Sequence, residues 1–423
     1  MITSRNIVKK QRVILRPDSH RVVGQFFNPG NPERMHTIAR RTAALTEIQS
    51  AHLIHILNRD FGKRHRFYQK MIQQHFNSFV KLFPEYELLP VNKKILIGAY
   101  LSKEYSFEST ALMNPSMVYY DQHHRKSPSV EPFLLSLRAV GEGHISSVTF
   151  RSGTIRTDGS VRIEKKSMWA SLPEEIIYPA EPGAPVRIRF SSDLPPSEKV
   201  IFPLTADECN GIEDVRLVRF INDNGSVVYY GTYTAYDGKV IKLKLLETTD
   251  FESFKIYNLQ GAAVLNKGLA LFPQKIAGKY VMISRQDGEN LYIMFSEHLL
   301  NWEQSDVLLI PEFPWEFVQT GNCGSPLLTS EGWLLLIHGV GPFRTYVLSA
   351  LLLDQKNPAR IKARLSEPLL QADDTERHGY VPNVIYTCGG MIWRNRLILP
   401  YACSDYATRF SIVDLKKLFN RMI

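Results

Sequence analysis

Cysteine is scarce and scattered in this chain. The four residues, Cys209, Cys323, Cys388 and Cys403, form no CxxC pair, so neither a zinc site nor a disulfide framework is signalled. No grouping of His, Cys and carboxylates suits zinc or calcium either, and no metal is expected. Apolar runs stay well short of the ~18 residues that a membrane-spanning helix needs. Met1 to Arg16 carries Arg5, Lys9, Lys10 and Arg12, which is unlike the apolar stretch of a secretory signal. These absences lead us to expect a soluble protein in a reducing, cytoplasmic setting with no membrane partner. What is present fits a folded chain: 423 residues, 44% hydrophobic, 22% charged and 11% aromatic. That length suits two or three modest domains, or one repeat architecture with an accessory segment.

A formal net charge of +9 invites a nucleic-acid reading, but the charge is localised. Residues 1–70 hold 14 Lys and Arg against 4 Asp and Glu, a net of +10, so the rest of the chain is close to neutral. From Asn31 to about Phe83, residues such as Ile48, Leu53, Ile56 and Leu57 recur at helical spacing, which predicts two or three amphipathic helices. Pro29-Gly30-Asn31-Pro32 stops anything upstream, and Thr46-Glu47 marks a helix start. Basic helix faces are usually solvated faces, and no nucleic-acid module is recognisable here. We therefore expect residues 1–90 to form a basic helical extension with no nucleic-acid partner. Packing against the rest of the chain, or against a second subunit in a homo-oligomer, and helping to close a substrate entrance is the role proposed for it.

After about Lys94 short apolar segments separated by Gly, Asn and Asp take over, and they repeat. NGSVVYYGTYTAYDG begins at Asn224, GKYVMISRQDGEN at Gly278, GWLLLIHGVGPFR at Gly332 and NRLILPYACSDYA at Asn395, so the starts are 54, 54 and 63 residues apart. An earlier unit from Glu131, EPFLLSLRAVGEGHISSVTFRSG, has the same strand–Gly–strand character. Five units of about four short strands predict a mainly β fold, a five-bladed β-propeller over residues 91–423. Such a fold converges inner-strand residues on a central channel. Arg285, His338 and Tyr401 stand six or seven positions past the start of their repeat segments, and are expected to meet there as an anion or sugar site.

Glycosyl transfer needs a positioned proton donor near the leaving oxygen. In NGIEDVRLVRF, Glu213 and Asp214 sit between a glycine turn and a β-branched strand, followed by Arg216. Adjacent residues of a strand point to opposite faces, so one carboxylate of this pair is expected to face the channel, where it can be tuned as an acid. Glu142, Asp287, Glu289 and Asp405 are further acidic candidates.

The ordered motifs EYSFESTALMNPSMV, GEGHISSVTFRSG, NGIEDVRLV, GTYTAYDG, NKGLALFPQKIAGKYVMISR, GWLLLIHGV, GYVPNVIYTCG and LPYACSD span about residues 100–415. In this order they closely resemble glycoside hydrolase family 130, the β-mannoside phosphorylases and β-1,2-mannosidases, whose fold is a five-bladed propeller. The resemblance implies an inverting enzyme that cleaves a non-reducing-end β-mannosyl unit. Asp214 matches the family's general acid, which delivers its proton through a sugar hydroxyl. Asn114 and Asp405 match positions that hold the mannose, and Glu213, Arg151 and Tyr401 join them as substrate-binding candidates.

An inverting phosphorylase replaces the catalytic base and its water by a bound phosphate dianion, so its pocket must be cationic and rich in donors. The family's phosphate-binding positions are matched here by Lys267, Arg285, His338 and Tyr346. Two departures stand out: Gln319 where the family has Lys, and SRQDG where HRP is more usual. A hydrolase would instead need a base for water, for which Glu289 and Glu316 are the candidates. Clustered cations raise one another's cost in a pocket that holds no anion. Phosphorolysis to α-mannose 1-phosphate is therefore the favoured reading, with inorganic phosphate as co-substrate, a β-mannoside oligosaccharide as partner, and no other cofactor. Hydrolysis stays open as the alternative, as do a sugar-binding propeller without chemistry and a nucleic-acid-binding protein.

Overall fold

The computed structural model describes residues 7–120 and 129–423. Most of its strands fall into five antiparallel groups, with Val23–Phe26 and Ser102–Tyr105 paired as a separate two-stranded sheet, and the mainly β expectation holds. Ala111–Tyr119, Val130–Val140 and Ser146–Arg156 make the first group. Gly211–Ile221, Val227–Tyr236, Ile241–Thr248 and Ser253–Asn258 make the second. These two belong to one eleven-stranded sheet, joined through a single parallel pairing of Gly211 with Ser146. The third group is Lys267–Leu271, Tyr280–Arg285, Leu291–Ser296 and Asp306–Leu309. The fourth is Gln319–Asn322, Gly332–Gly341, Thr345–Leu353 and Ile361–Arg364. The fifth comprises Ile385–Tyr386, Arg396–Cys403, Ala407–Asp414 and, as its outer strand, Val8–Leu15. Among the described residues no sheet closes on itself.

Each of the four repeat segments supplies the second strand of its group, and the unit from Glu131 supplies the second and third strands of the first group. In GWLLLIHGVG every residue is buried, which is why that segment reads as a nearly unbroken apolar run. The register sets where the loops go. Ala111 pairs with Val140, Gly211 with Tyr236, Lys267 with Arg285, Gln319 with Val340 and Ile385 with Cys403. The start of every first strand thus lies beside the end of its second strand, and all five second-to-third-strand turns gather at one end of the molecule.

Four helices precede the first group: α1 (Pro32–Ala43), α2 (Glu47–Phe61), α3 (Tyr68–Val80) and α4 (Val91–Tyr100). None of them, nor any other helix of the described residues, is long and apolar enough to cross a membrane. Asn31 caps α1 by accepting from the Arg34 amide, and Thr46 with Gln49 forms a capping box on α2, contacts worth about 1 kcal/mol each. Met35, Ala39, Phe76, Phe79, Tyr86, Ile97 and Leu101 form the core of this layer. It docks on the sheets through polar contacts: Arg66 forms a bidentate pair with Glu198 at 2.6 and 2.8 Å and lies over Trp169. Lys70 also meets Glu174 at 2.8 Å.

One part of the expected helical extension is not helical. Val8–Leu15 (VKKQRVIL) pairs with Ala407–Asp414, so a segment placed by sequence in residues 1–90 completes the fifth strand group. Its Lys and Arg residues read as charge, but the edge of a sheet accommodates such side chains on the solvent face. Lys10 bridges Asp373 and the buried Glu376 at 2.7 and 2.6 Å.

Candidate active site

Where the first strands begin, a cavity of about 190 Å³ is lined by residues of all five groups. The strand register explains how they arrive. Met113 pairs with Arg138, Glu213 with Thr234, Lys267 with Arg285, and Gly321 with His338. The next residue of each first strand, namely Asn114, Asp214, Gly268 and Asn322, lines the cavity. At the first three the register slips and φ is positive, at 50°, 55° and 89°. A bulge of this kind re-aims a side chain, and Asn, Asp and Gly are the residues that tolerate the left-handed backbone it needs. This corrects the strand-alternation argument: Glu213 and Asp214 both line the cavity, because the bulge lies between Glu213 and Arg216 and breaks the two-residue period.

One wall is acidic and internally paired. Arg138 donates to Glu213 at 2.8 Å and lies 3.6 Å from Asp214, while the Asn114 amide donates to Asp214 Oδ1 at 2.5 Å. Burial alone would raise the Asp214 pKa, but Arg138, Arg216, the Asn114 hydrogen bond and Lys267 outweigh it and hold the carboxyl below its usual range. Asp405, in a left-handed turn at φ 49°, moves the other way: burial pushes it up to about 6, against the pull of Arg138 and with a further push from Asp214.

The facing wall is cationic. Arg285 Nη1 stands 3.5 Å from His338 Nε2, and Gln319 Nε2 lies 3.2 Å from the same nitrogen. His338 stacks on Tyr346, with ring centroids 5.7 Å apart. Burial first, then the charges of Arg285 and Arg216, depress the His338 pKa far below its usual value, so the imidazole is neutral at pH 7. Arg216 donates to the Cys323 carbonyl at 2.8 Å and to the Tyr386 hydroxyl at 2.6 Å. Glycine makes the closeness possible: a Cβ on Gly321 would stand 2.6 Å from the His338 ring and 3.2 Å from Arg285.

The model of the family described as β-1,4-mannooligosaccharide phosphorylase matches residues 191–423, which carry four of the five strand groups. The chain belongs to glycoside hydrolase family 130. It is 31% identical over 218 residues to a 1,2-β-oligomannan phosphorylase of Thermoanaerobacter sp. strain X514, covering 51% of this chain and 72% of that protein. To a β-1,4-mannooligosaccharide phosphorylase of Ruminococcus albus it is 32% identical over 213 residues, 47% of this chain and 62% of that one. The solved β-1,2-mannobiose phosphorylase of Listeria innocua, in complex with β-1,2-mannobiose, superposes with a TM-score of 0.53 at 21% identity. That match covers 74% of this chain and 92% of the other, and shows the shared fold.

Of the residues that the family resemblance singled out, Asn114, Glu213, Asp214, Asp405, Lys267, Arg285, His338 and Tyr346 all line the one cavity. Four others do not reach it. Arg151 is buried in an ion pair with Glu108 at 2.8 Å, because on its strand it faces the interior. Tyr401 lies in the hydrophobic core of the fourth and fifth groups and donates to Glu376 at 2.7 Å. The six-residue offset placed it level with His338, but its side chain is fully buried on the core face of its strand. Glu289 is exposed on the turn after Arg285. Glu316 is fully buried and receives Arg364 at 2.6 Å together with the amides of Glu312 and Phe313. Arg138, Arg344, Tyr386 and Asn322 also line the cavity and were not singled out. For Arg138 a signal existed, since it stands near the end of the strand Val130–Val140 as Arg285 stands at the end of its own.

Proposed function

We propose that this family 130 enzyme is an inverting β-mannoside phosphorylase. One observation carries the reading: among the described residues Arg285 forms no ion pair and its buried Nε finds no protein partner, whereas Lys267 lies 3.7 Å from Glu213. A guanidinium left unpaired in a cavity that also holds Lys267 and a neutral imidazole is suited to an anion. In the reaction, an oxygen of hydrogen phosphate bonds to the anomeric carbon as the bond to the leaving oxygen breaks, and Asp214 supplies a proton to that oxygen. The balance is closed by the phosphate's own proton, which passes to the Asp214 carboxylate, restores the acid and leaves α-mannose 1-phosphate as a dianion. Entry of the dianion offsets the field of Arg138, Arg216 and Lys267, and so raises the Asp214 pKa when a proton donor is required. Asn114 and Asp405 hold the mannosyl unit. Both β-1,2- and β-1,4-linked substrates are compatible with the relatives, and a cytoplasmic setting suits a sugar-phosphate product. The five strand groups around one cavity support a five-bladed propeller as the architecture.

Hydrolysis is the second reading, favoured by one observation: an Asp405 carboxyl with a pKa of about 6 is poised as a base for water. Product analysis on β-1,2-mannobiose and a β-1,4-mannoside, with and without inorganic phosphate, separates the two. Phosphate-dependent release of α-mannose 1-phosphate is expected, whereas free mannose at an undiminished rate without phosphate would overturn the proposal.

A further inference from the structure

Asn322 is 1% exposed, lines the cavity, and neither heteroatom of its carboxamide has a protein partner. A buried amide without partners is destabilising unless something else satisfies it. Its place is not accidental: it follows Gly321, the partner of His338, just as Asn114 follows the partner of Arg138 and Asp214 follows Glu213. The internal repeat thus sets Asn322 at the position that carries polar function in two other strand groups. Space is kept open beside it. A Cβ on Gly268 would lie 3.4 Å from Asn322 Oδ1 and 3.7 Å from Arg285 Cβ, so the carboxamide and the unpaired arginine flank the same point.

The cationic wall offers chiefly donors, the ammonium of Lys267 and the guanidinium of Arg285. Hydrogen phosphate near neutral pH carries one P–OH, which must find an acceptor or forfeit a hydrogen bond on burial. A carboxylate would accept it but repel the dianion. A neutral carboxamide oxygen accepts it without that repulsion, while the amide N–H₂ donates to an unprotonated oxygen. We propose that Asn322 accepts the hydrogen bond from the protonated oxygen of the phosphate co-substrate and makes the site prefer hydrogen phosphate to an unprotonated dianion such as sulfate. The inference rests on the phosphorolytic reading above.

The test uses the full chain and compares the phosphate KM with the inhibition constant of sulfate, with arsenate as a second protonated oxyanion. For Asn322→Ala the phosphate and arsenate KM should rise about tenfold, the scale of one hydrogen bond to a charged group, while sulfate inhibition changes less than about twofold. The melting temperature should not fall, because the change removes a buried amide that lacks partners. Asn322→Asp should raise the phosphate KM further still, and Asn322→Ser carries the same comparison should the alanine variant misfold. Phosphate KM and sulfate inhibition shifting equally, or neither shifting, would overturn the inference while leaving phosphorolysis intact. Phosphate-independent release of mannose by the unaltered enzyme would overturn both.

Discussion

The two walls of the cavity hold charge in opposite ways. On the acidic wall Arg138 reaches Glu213 at 2.8 Å and Asp214 at 3.6 Å, and Asn114 fixes the second carboxylate. On the cationic wall Arg285 faces the neutral His338, and Asn322 has no protein partner. On the first wall each charge meets an opposite one, although Asn114 Oδ1 and Arg138 Nε find no protein partner; on the second, Arg285 has no such counter-charge among the described residues. The difference teaches that an unpaired cation among fixed dipoles is more informative about function than a paired carboxylate, because pairing explains the latter without any ligand.

The largest expected effect comes from breaking the acidic wall. Asp214→Asn, which keeps a residue tolerant of φ 55°, should lower turnover by about 10³-fold or more, on the scale of lost general acid catalysis, with the sugar KM little changed in steady-state assays. Retained turnover would remove Asp214 from the chemistry. Arg285→Ala breaks the other wall, and phosphate KM should rise about 10- to 100-fold, as for loss of a charge-assisted hydrogen bond, with a smaller effect on the sugar KM.

Asp405 sharpens the comparison through stability. Burial lifts its pKa from 3.8 to about 6, so the folded protein binds the proton more tightly than the unfolded chain. Stability therefore falls as pH rises between about 4 and 6. Asp405→Asn should flatten that fall and raise the melting temperature at pH 7, with a ceiling of about 3 kcal/mol at ~1.4 kcal/mol per pKa unit, while sugar binding weakens. A pH series of thermal unfolding curves decides it. The smallest effects on turnover belong to carboxylates outside the cavity. Glu316→Gln should lose about 1–3 kcal/mol of stability by weakening the Arg364 contact and leave kcat within about twofold. Glu289→Gln should change neither, and a collapse of kcat in either variant would restore it as a base for water.

The repeat was legible because each second strand, from Val227–Tyr236 to Arg396–Cys403, closes on a polar turn that breaks an apolar run. Most of the site was legible too, by resemblance: Asp214, Asn114, Asp405, Lys267, Arg285 and His338 do meet. What failed did so for geometric reasons. Counting positions from a turn does not fix which face a residue presents: Tyr401 and His338 share an offset of six, yet His338 lines the cavity and Tyr401 sits in the core. Alternation cannot foresee a bulge, which brought Glu213 in beside Asp214. Asn322 was invisible because a lone Asn beside Gly-rich sequence reads as a turn, and only its burial without partners distinguishes it.

The strand at Val8–Leu15 has a consequence for how the chain matures. Val8 pairs with Val413 and Leu15 with Thr408, so a segment must wait for a partner about 400 residues further along the chain. Contacts of such sequence separation form slowly, since loop closure precedes any gain from pairing. Until Ala407–Asp414 has been made, Val8–Leu15 is a strand without its partner, an open β edge of the kind that invites aggregation. Pairing of that strand, with Lys10 reaching Glu376, then ends the exposure, so Val8–Leu15 acts as a latch on a structure whose other parts are already in place.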